Sequence, residues 1–393
     1  MTLTDPSIRD VWGGANQSGL RDQNARLVLS IIRRHGEMAS AEIARQSGLS
    51  AQTVSNIIRS LEAENLLTRG EAVKGKVGKP SVPMALNPLG ALSLGLNIGR
   101  RSAEVTLLDF KGEQLGVRST SYAFPLIEDV LGFVKSSSQS LLKSRPGARD
   151  LLVGIGISMP NRIWEWLEAV DAPAEAMRAW QSFDVEAAVT EATGLETFLE
   201  NDATSACISE LLLGRGDEFT DFAYIFLGAF VGGGLVLNGN VVSGRSRNGA
   251  ALGPLPVPDG AGGTTQLLNV SSLYALETEL RRTGRDPLEL REMGDDWSTI
   301  ENVIQPWIET TGHYLAIACA ALASIVDIEA VMIDGAMPAD VCARLTETVR
   351  ASYSTLDLTG LEDFDIRQGA VGRQARSVGA AILPIHSKYF LSA

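Results

Sequence analysis

Cysteine and histidine are scarce in this 393-residue chain, with three of each. Cys207, Cys319 and Cys342 lie far apart, form no Cys-x-x-Cys pair and, being odd in number, cannot all pair with one another, which fits a reducing compartment. His35, His313 and His386 stand at no metal-ligand spacing from one another or from a cysteine, so no metal site is expected. Long apolar runs are missing as well. No eighteen apolar residues follow one another, and the opening MTLTDPSIRDVWGG lacks the basic start and apolar core of a secretory signal. No membrane span is expected, and the expected location is the cytoplasm.

What is present is enough apolar sequence, 45%, to fill large cores, with 21% charged residues to cover them. A chain of this length divides into two or three domains. The net charge of −13 is unevenly spread: residues 1–90 hold eleven Lys or Arg against eight Asp or Glu, or +3, which leaves 23 against 39, or −16, in the remainder. A small basic head on a large acidic body suits contact with a polyanion through the head alone.

The head carries ASAEIARQSGLSAQTVSNIIRSLEAENLLTRG, which reads as helix, turn, helix. Ser40 is placed to cap a helix with Ile43 and Ala44, Gly48 to make the turn, and Ser50 to cap a second helix. On that second helix Val54, Ile57, Ile58 and Leu61 fall at i, i+3, i+4 and i+7, an inward stripe. Gln52, Ser55, Asn56 and Arg59 repeat the spacing on the other side, and such side chains can read base edges. The small residue Ala44, Gly48 and Val54 stand at helix-turn-helix spacing. A preceding helix near Asn24–His35, with Leu27, Val28, Ile31 and Ile32 inward, completes a three-helix core. Then NLLTRGEAVKGKVGKPSVPMAL offers strand, turn and strand, a wing with Lys74, Lys76 and Lys79 in its loop for phosphates. The expected DNA-binding residues are Ser50, Gln52, Thr53, Ser55, Asn56, Arg59 and these three lysines. An ordinary helical bundle with a solvated polar face is the competing interpretation.

From about residue 90 strands and amphipathic helices alternate. LSLGLNIG, AEVTLLDF and EQLGVRSTSY are three strands on tight turns, followed by a helix near Ile127–Ser144 and the buried strand LLVGIGIS. FAYIFLGAF, GGGLVLNGN and VVSG begin a second such unit, continued by helices around Trp307–Ile325 and the strand AVMIDGA. Two related α/β lobes with a cleft between them are expected.

The head, GIGISMP (154–160), LENDATSACISE (199–210), LGAFVGGGLVLNGNVVSGRSRNGA (227–250) and VGAAILP (378–384) resemble, in order and spacing, the ROK family of repressors, open reading frames and kinases. The resemblance runs from Leu20 to Leu383, to members that join a winged helix to a sugar-kinase-like body. It implies a winged helix-turn-helix domain at 1–88, then a two-lobed, actin/hexokinase-like (ribonuclease H-like) α/β body with a first lobe at 89–200 and a second lobe with the dimerisation region at 201–393.

A kinase of that family needs features that can be checked here. Its Asp-x-Gly-Gly-Thr phosphate hairpin reads Asn97-Ile98-Gly99-Arg100-Arg101, with a poor Mg²⁺ ligand and two long side chains expected as solvated charge at the tip. Its general base survives in Glu200-Asn201-Asp202, although Asp202 could equally cap the helix that follows. Its sugar-gripping Gly-Glu-x-Gly-His reads Ala250-Ala251-Leu252-Gly253-Pro254, and its cysteine-rich zinc loop reads PVPDGAGGTTQLLNVSSL, to be reorganised by proline and glycine. Phe230 replaces a glycine of the second phosphate loop, Gly228–Gly234, and Asp334-Gly335-Ala336 replaces a paired glycine on the adenosine side. Glycines kept in these places can serve strand turns and close packing instead.

The expectation is therefore a regulator without catalytic residues, metal or cofactor, that binds palindromic double-stranded operator DNA as a homodimer or dimer of dimers. A sugar or sugar-derived effector, if one exists, is expected in the interlobe cleft at Ser158, Asn161, Asn201 and Asp202. The alternatives are a carbohydrate kinase with a regulatory head and a regulator that answers to a protein partner through its acidic body.

Overall fold

Gly48 closes one helix and Ser50 opens the next, and the head is arranged around that turn. The computed structural model describes residues 17–71, 82–165 and 172–391 and divides into two units, Met1–Gly90 with His386–Ser392, and Ala91–Ile385. The first unit contains α1 (Gln17–His35), β1 (Met38–Ala39), α2 (Ser40–Ser47), α3 (Ala51–Ala63), β2 (Leu67–Arg69) and β3 (Pro83–Leu86). Gly48 takes φ +67°, a left-handed conformation that suits glycine. Ser50 Oγ accepts the Thr53 N–H at 3.1 Å as the cap of α3. The start of α2 departs from expectation, because Ala39 is its N-cap and no side chain closes it. Ala39 is already paired with Pro83 of β3, so the strand, not Ser40, sets where this helix begins.

Val54, Ile57, Ile58 and Leu61 of α3 are buried, as their spacing requires. On α1 the packed residues are Val28, Leu29 and Ile32, while Leu27 and Ile31 are half-buried. The buried face is centred one residue later than expected, because the apolar pairs 27–28 and 31–32 straddle its edge. The strands pair antiparallel in the order β1-β3-β2. Lys74, Lys76 and Lys79 lie outside the described residues. The chain's last residues belong here rather than to the second lobe: Phe390 is buried under the Arg33 guanidinium, 5.3 Å from its ring, and the Leu391 N–H donates to Ser30 Oγ at 3.0 Å.

In the second unit, β4 (Leu92–Ile98), β5 (Ser102–Asp109), β6 (Gln114–Ser121), α4 (Ile127–Lys143), β7 (Leu152–Met159), α5 (Ala174–Arg178), α6 (Val185–Thr193) and β8 (Thr197–Asn201) form the first lobe. Helix α7 (Asp202–Leu213) leads to β9 (Phe222–Leu227), β10 (Val231–Leu237) and β11 (Asn240–Val241). Next come β12 (Pro256–Pro258), β13 (Thr264–Gln266), α8 (Leu267–Val270), α9 (Leu273–Arg282), α10 (Glu289–Glu292) and α11 (Glu301–Ile325). The chain ends with β14 (Ala330–Gly335), α12 (Ala339–Tyr353), β15 (Asp365–Gln368) and α13 (Ala375–Tyr389), whose residues from His386 onward belong to the first unit.

The two sheets have one plan. Strand order is β6-β5-β4-β7-β8 in the first and β11-β10-β9-β14-β15 in the second, three antiparallel strands followed by two parallel ones. Each sheet is covered on both faces, so its central strands read as nearly continuous apolar runs. Along β9, Ala223, Ile225 and Leu227 join one core with α11 and α12, while Phe222, Tyr224 and Phe226 join another with Ala206 and Cys207 of α7. Helix α11 is long and apolar enough to cross a membrane by composition, but Trp307, Ile308, Leu315 and Ala316 are buried in that first core.

Glycines set how closely helices approach the sheets. A Cβ on Gly156 of β7 would lie 1.8 Å from the Ala380 carbonyl oxygen of α13, and one on Gly234 of β10 would lie 2.2 Å from the Cys207 Cβ of α7. Gly234 ends the second phosphate-type loop, and what it provides in this chain is room for a helix.

Candidate functional site

The outer face of α3 presents Gln52, Asn56 and Arg59 exposed, with Thr53 and Ser55 half-buried. Gln52 donates to Asn56 Oδ1 at 3.2 Å and Arg59 donates to the same oxygen at 2.8 Å, so one hydrogen-bonded row runs along the helix. Such a row holds amide and guanidinium groups in extended positions suited to base edges. Ser50, also exposed, is committed to capping and to a 2.8 Å hydrogen bond with the Thr53 hydroxyl.

In the body, a cavity of about 130 Å³ opens between the two lobes. Of the four residues expected there, Asn161, Asn201 and Asp202 line it and Ser158 does not. Ser158 is fully buried, donating its hydroxyl to Asn97 Oδ1 at 2.9 Å, because alternation along β7 turns it inward. Asn161 spends its amide N–H groups on the carbonyls of Ser246 and Arg247, at 2.9 and 2.6 Å. Asn201 is the cap of α7, accepting from Ala203 and Thr204 N–H, so the Asp202 carboxylate is free of that duty. It stands instead 3.6 Å from the Arg376 guanidinium.

The hairpin tips beside this cavity have been refilled. Arg100 is only 5% exposed and donates to the carbonyls of Ile163, Glu165 and Arg162 at 2.8, 2.9 and 3.2 Å. Its guanidinium lies 4.8 Å from the centre of the Phe230 ring. Burial brings its pKa down to about 10, with Asp202 and Glu165 opposing the shift, so it stays charged at neutral pH. The expectation of a solvated Arg100 is thus corrected: three backbone acceptors and an aromatic face replace its water. Arg101 is half-buried and reaches the Ala123 carbonyl at 2.7 Å.

Asn97 is buried as the partner of Ser158, and Arg100 and Phe230 pack on each other where the two turns meet. Among the described residues no group of three or more His, Cys, Asp or Glu could hold a metal ion. The zinc loop's place is taken by the β12–β13 hairpin, whose turn is closed by Asp259 accepting the Ala261 and Gly263 N–H groups at 2.8 Å each. Those donors hold the Asp259 carboxyl below the ordinary carboxylate range.

Sequence reasoning missed Arg376, Phe226 and Leu268, which line the cavity from α13, β9 and α8. Arg376 left one signal. A cation in the first turn of a helix faces the positive end of the helix dipole and so calls for a compensating partner, here Asp202 and the Phe226 ring 5.0 Å away.

The ROK family model matches residues 93–387, three quarters of the sequence. The chain belongs to the ROK family. A MarR family model matches residues 18–76, the part that holds α1, α2 and α3. Relatives include the protein y4fQ of Sinorhizobium fredii, 25% identical over 94% of this chain and 92% of its own length. The xylose repressor of Bacillus subtilis is 20% identical over 94% of this chain and 97% of its own. Among solved structures, a ROK family transcriptional regulator described as a homolog of the E. coli MLC protein superposes with a TM-score of 0.67 at 20% identity, covering 94% of this chain and 97% of that one. A MarR-type head on a ROK body makes this a transcriptional regulator of the family.

Proposed function

We propose that this ROK regulator represses transcription from operators read by α3, and that the interlobe cavity of its body senses a small effector. The observation that carries the DNA part is the exposed row Gln52, Asn56, Arg59 on α3, opposite the buried stripe of the same helix. Thr53 and Ser55 flank this row, and Lys74, Lys76 and Lys79 supply phosphate contacts from sequence alone. The relative named xylose repressor supports repression as the sign of control. A homodimer or dimer of dimers follows from the two-fold sites that such heads read, and DNA as partner places the protein in the cytoplasm.

Effector binding in the cavity that Asn161, Asn201 and Asp202 line alters operator affinity by lobe closure, and operator alters effector affinity by the same factor. Genome-wide footprinting followed by binding to one recovered operator and to scrambled DNA tests the head. Gln52→Ala with Asn56→Ala is expected to lower the operator-to-scrambled ratio at least tenfold. Lys76→Ala with Lys79→Ala is expected to weaken both DNAs alike and flatten the salt dependence. Unchanged ratios in the first double variant refute α3 as the reading element.

A further inference from the structure

Two of the amides that line the cavity are already engaged elsewhere. Asn161 donates to two backbone carbonyls and Asn201 caps α7, while the facing wall is Val231, Leu252, Pro254 and Leu268. A hexose hydroxyl turned to that wall would be buried without a partner, at a cost of about 1–3 kcal/mol each.

The charge in the cavity has the opposite character. Three arginines, Arg100, Arg162 and Arg376, line it against one carboxylate, Asp202. Arg100 already donates to three carbonyls, and Arg162 pairs with Glu165 at 3.0 Å. Arg376 is not saturated. Among the described residues its guanidinium makes no hydrogen bond: it lies over the Phe226 ring, its Nε is buried without an acceptor, and Asp202 is 3.6 Å away. A guanidinium with unspent donors beside an apolar wall is complementary to a planar two-oxygen anion that carries an apolar body.

We propose that the cavity binds a small monocarboxylic acid with an apolar body, its carboxylate on Arg376 and its body against Leu252 and Leu268. A volume of about 130 Å³ is close to the roughly 150 Å³ of a cavity that holds benzene, so the body has about six carbons. Asp202 is then an internal competitor for Arg376 rather than a ligand for hydroxyls. This deepens the effector reading above and rests on it for its regulatory meaning, but binding itself can be judged alone.

The test is calorimetric titration of the full chain with benzoate and cyclohexanecarboxylate, alongside benzamide, D-glucose, D-xylose and inorganic phosphate. Both carboxylates are expected to bind at least tenfold tighter than benzamide and the sugars, and Arg376→Gln is expected to remove that preference. Asp202→Asn is expected to bind the carboxylates several-fold more tightly, a gain that misfolding cannot produce. The proposal is overturned if neither carboxylate binds, if phosphate binds in their place, or if a sugar binds and Asp202→Asn abolishes it. Carboxylate binding that leaves operator affinity unchanged upholds the ligand class and refutes the effector reading.

Discussion

The two lobes share one strand order and differ in what they bury where their strands end. In the first, the parallel register sets Asn97 of β4 beside Ser158 of β7, and the two close a neutral hydrogen bond. In the second, the equivalent register sets Phe226 of β9 beside Asp334 of β14, and the buried group is an acid. Asp334 accepts from the Gly372 and Gly335 N–H groups at 2.7 and 2.8 Å and from the Tyr224 hydroxyl at 3.2 Å. The hairpin tips differ too, Arg100 in one and Phe230 in the other, and they complete each other across the junction. A repeated plan thus carries a neutral pair at the strand ends of one lobe and an ionisable group at those of the other.

The largest effect should come from breaking the brace. Arg100→Ala leaves the carbonyls of Ile163, Glu165 and Arg162 without their donor and is expected to cost about 3 kcal/mol in urea unfolding. A double-mutant cycle with Phe230→Ala should return a coupling of about 1 kcal/mol for the cation over the ring. If Phe230→Ala costs the same with and without Arg100, the two tips do not brace each other.

Much of this division was legible before the structure. Period-two alternation and tight turns marked the strands, and the substitutions at Asn97, Arg100, Phe230, Ala251 and Pro254 marked the loss of kinase chemistry. Side-chain destinations were not legible, because they depend on residues far away in the chain. Arg100 finds acceptors some sixty residues on, Ser158 turns inward to Asn97, and Arg376 meets Asp202 from the opposite end of the body. A hairpin tip reads as exposed in sequence, and only a second hairpin packed on it makes it buried. Phe390 was invisible for the same reason, since its partner Arg33 lies near the other end of the chain.

The acid of the second lobe sharpens the comparison through pH. Burial raises the pKa of Asp334 from 3.8 to about 6, with Glu210 adding to the shift and the backbone N–H groups of Gly372 and Gly335 opposing it. The folded state therefore holds this proton more tightly than the unfolded chain does. Its stabilising contribution is full below about pH 3.8 and is lost as pH rises through about 6. Between pH 4.5 and 7 wild type should lose about 2 kcal/mol relative to Asp334→Asn, read as the difference between their urea midpoints at each pH. The pair Asn97 and Ser158 has nothing to titrate, so Ser158→Ala should shift stability by the same amount at both ends of that range.

The smallest effect is expected one residue from the largest. Arg101 has the same side chain as Arg100 and sits on the same turn, but it is half-buried, and among the described residues its guanidinium makes one hydrogen bond, to the Ala123 carbonyl at the surface. Water can replace that bond, so Arg101→Ala should change unfolding free energy by no more than about 0.5 kcal/mol. Two adjacent arginines then differ about sixfold in what their removal costs, and chemical identity cannot be the reason. If both variants cost the same, the carbonyl cluster around Arg100 contributes nothing, and the tip of the first lobe is solvated charge after all.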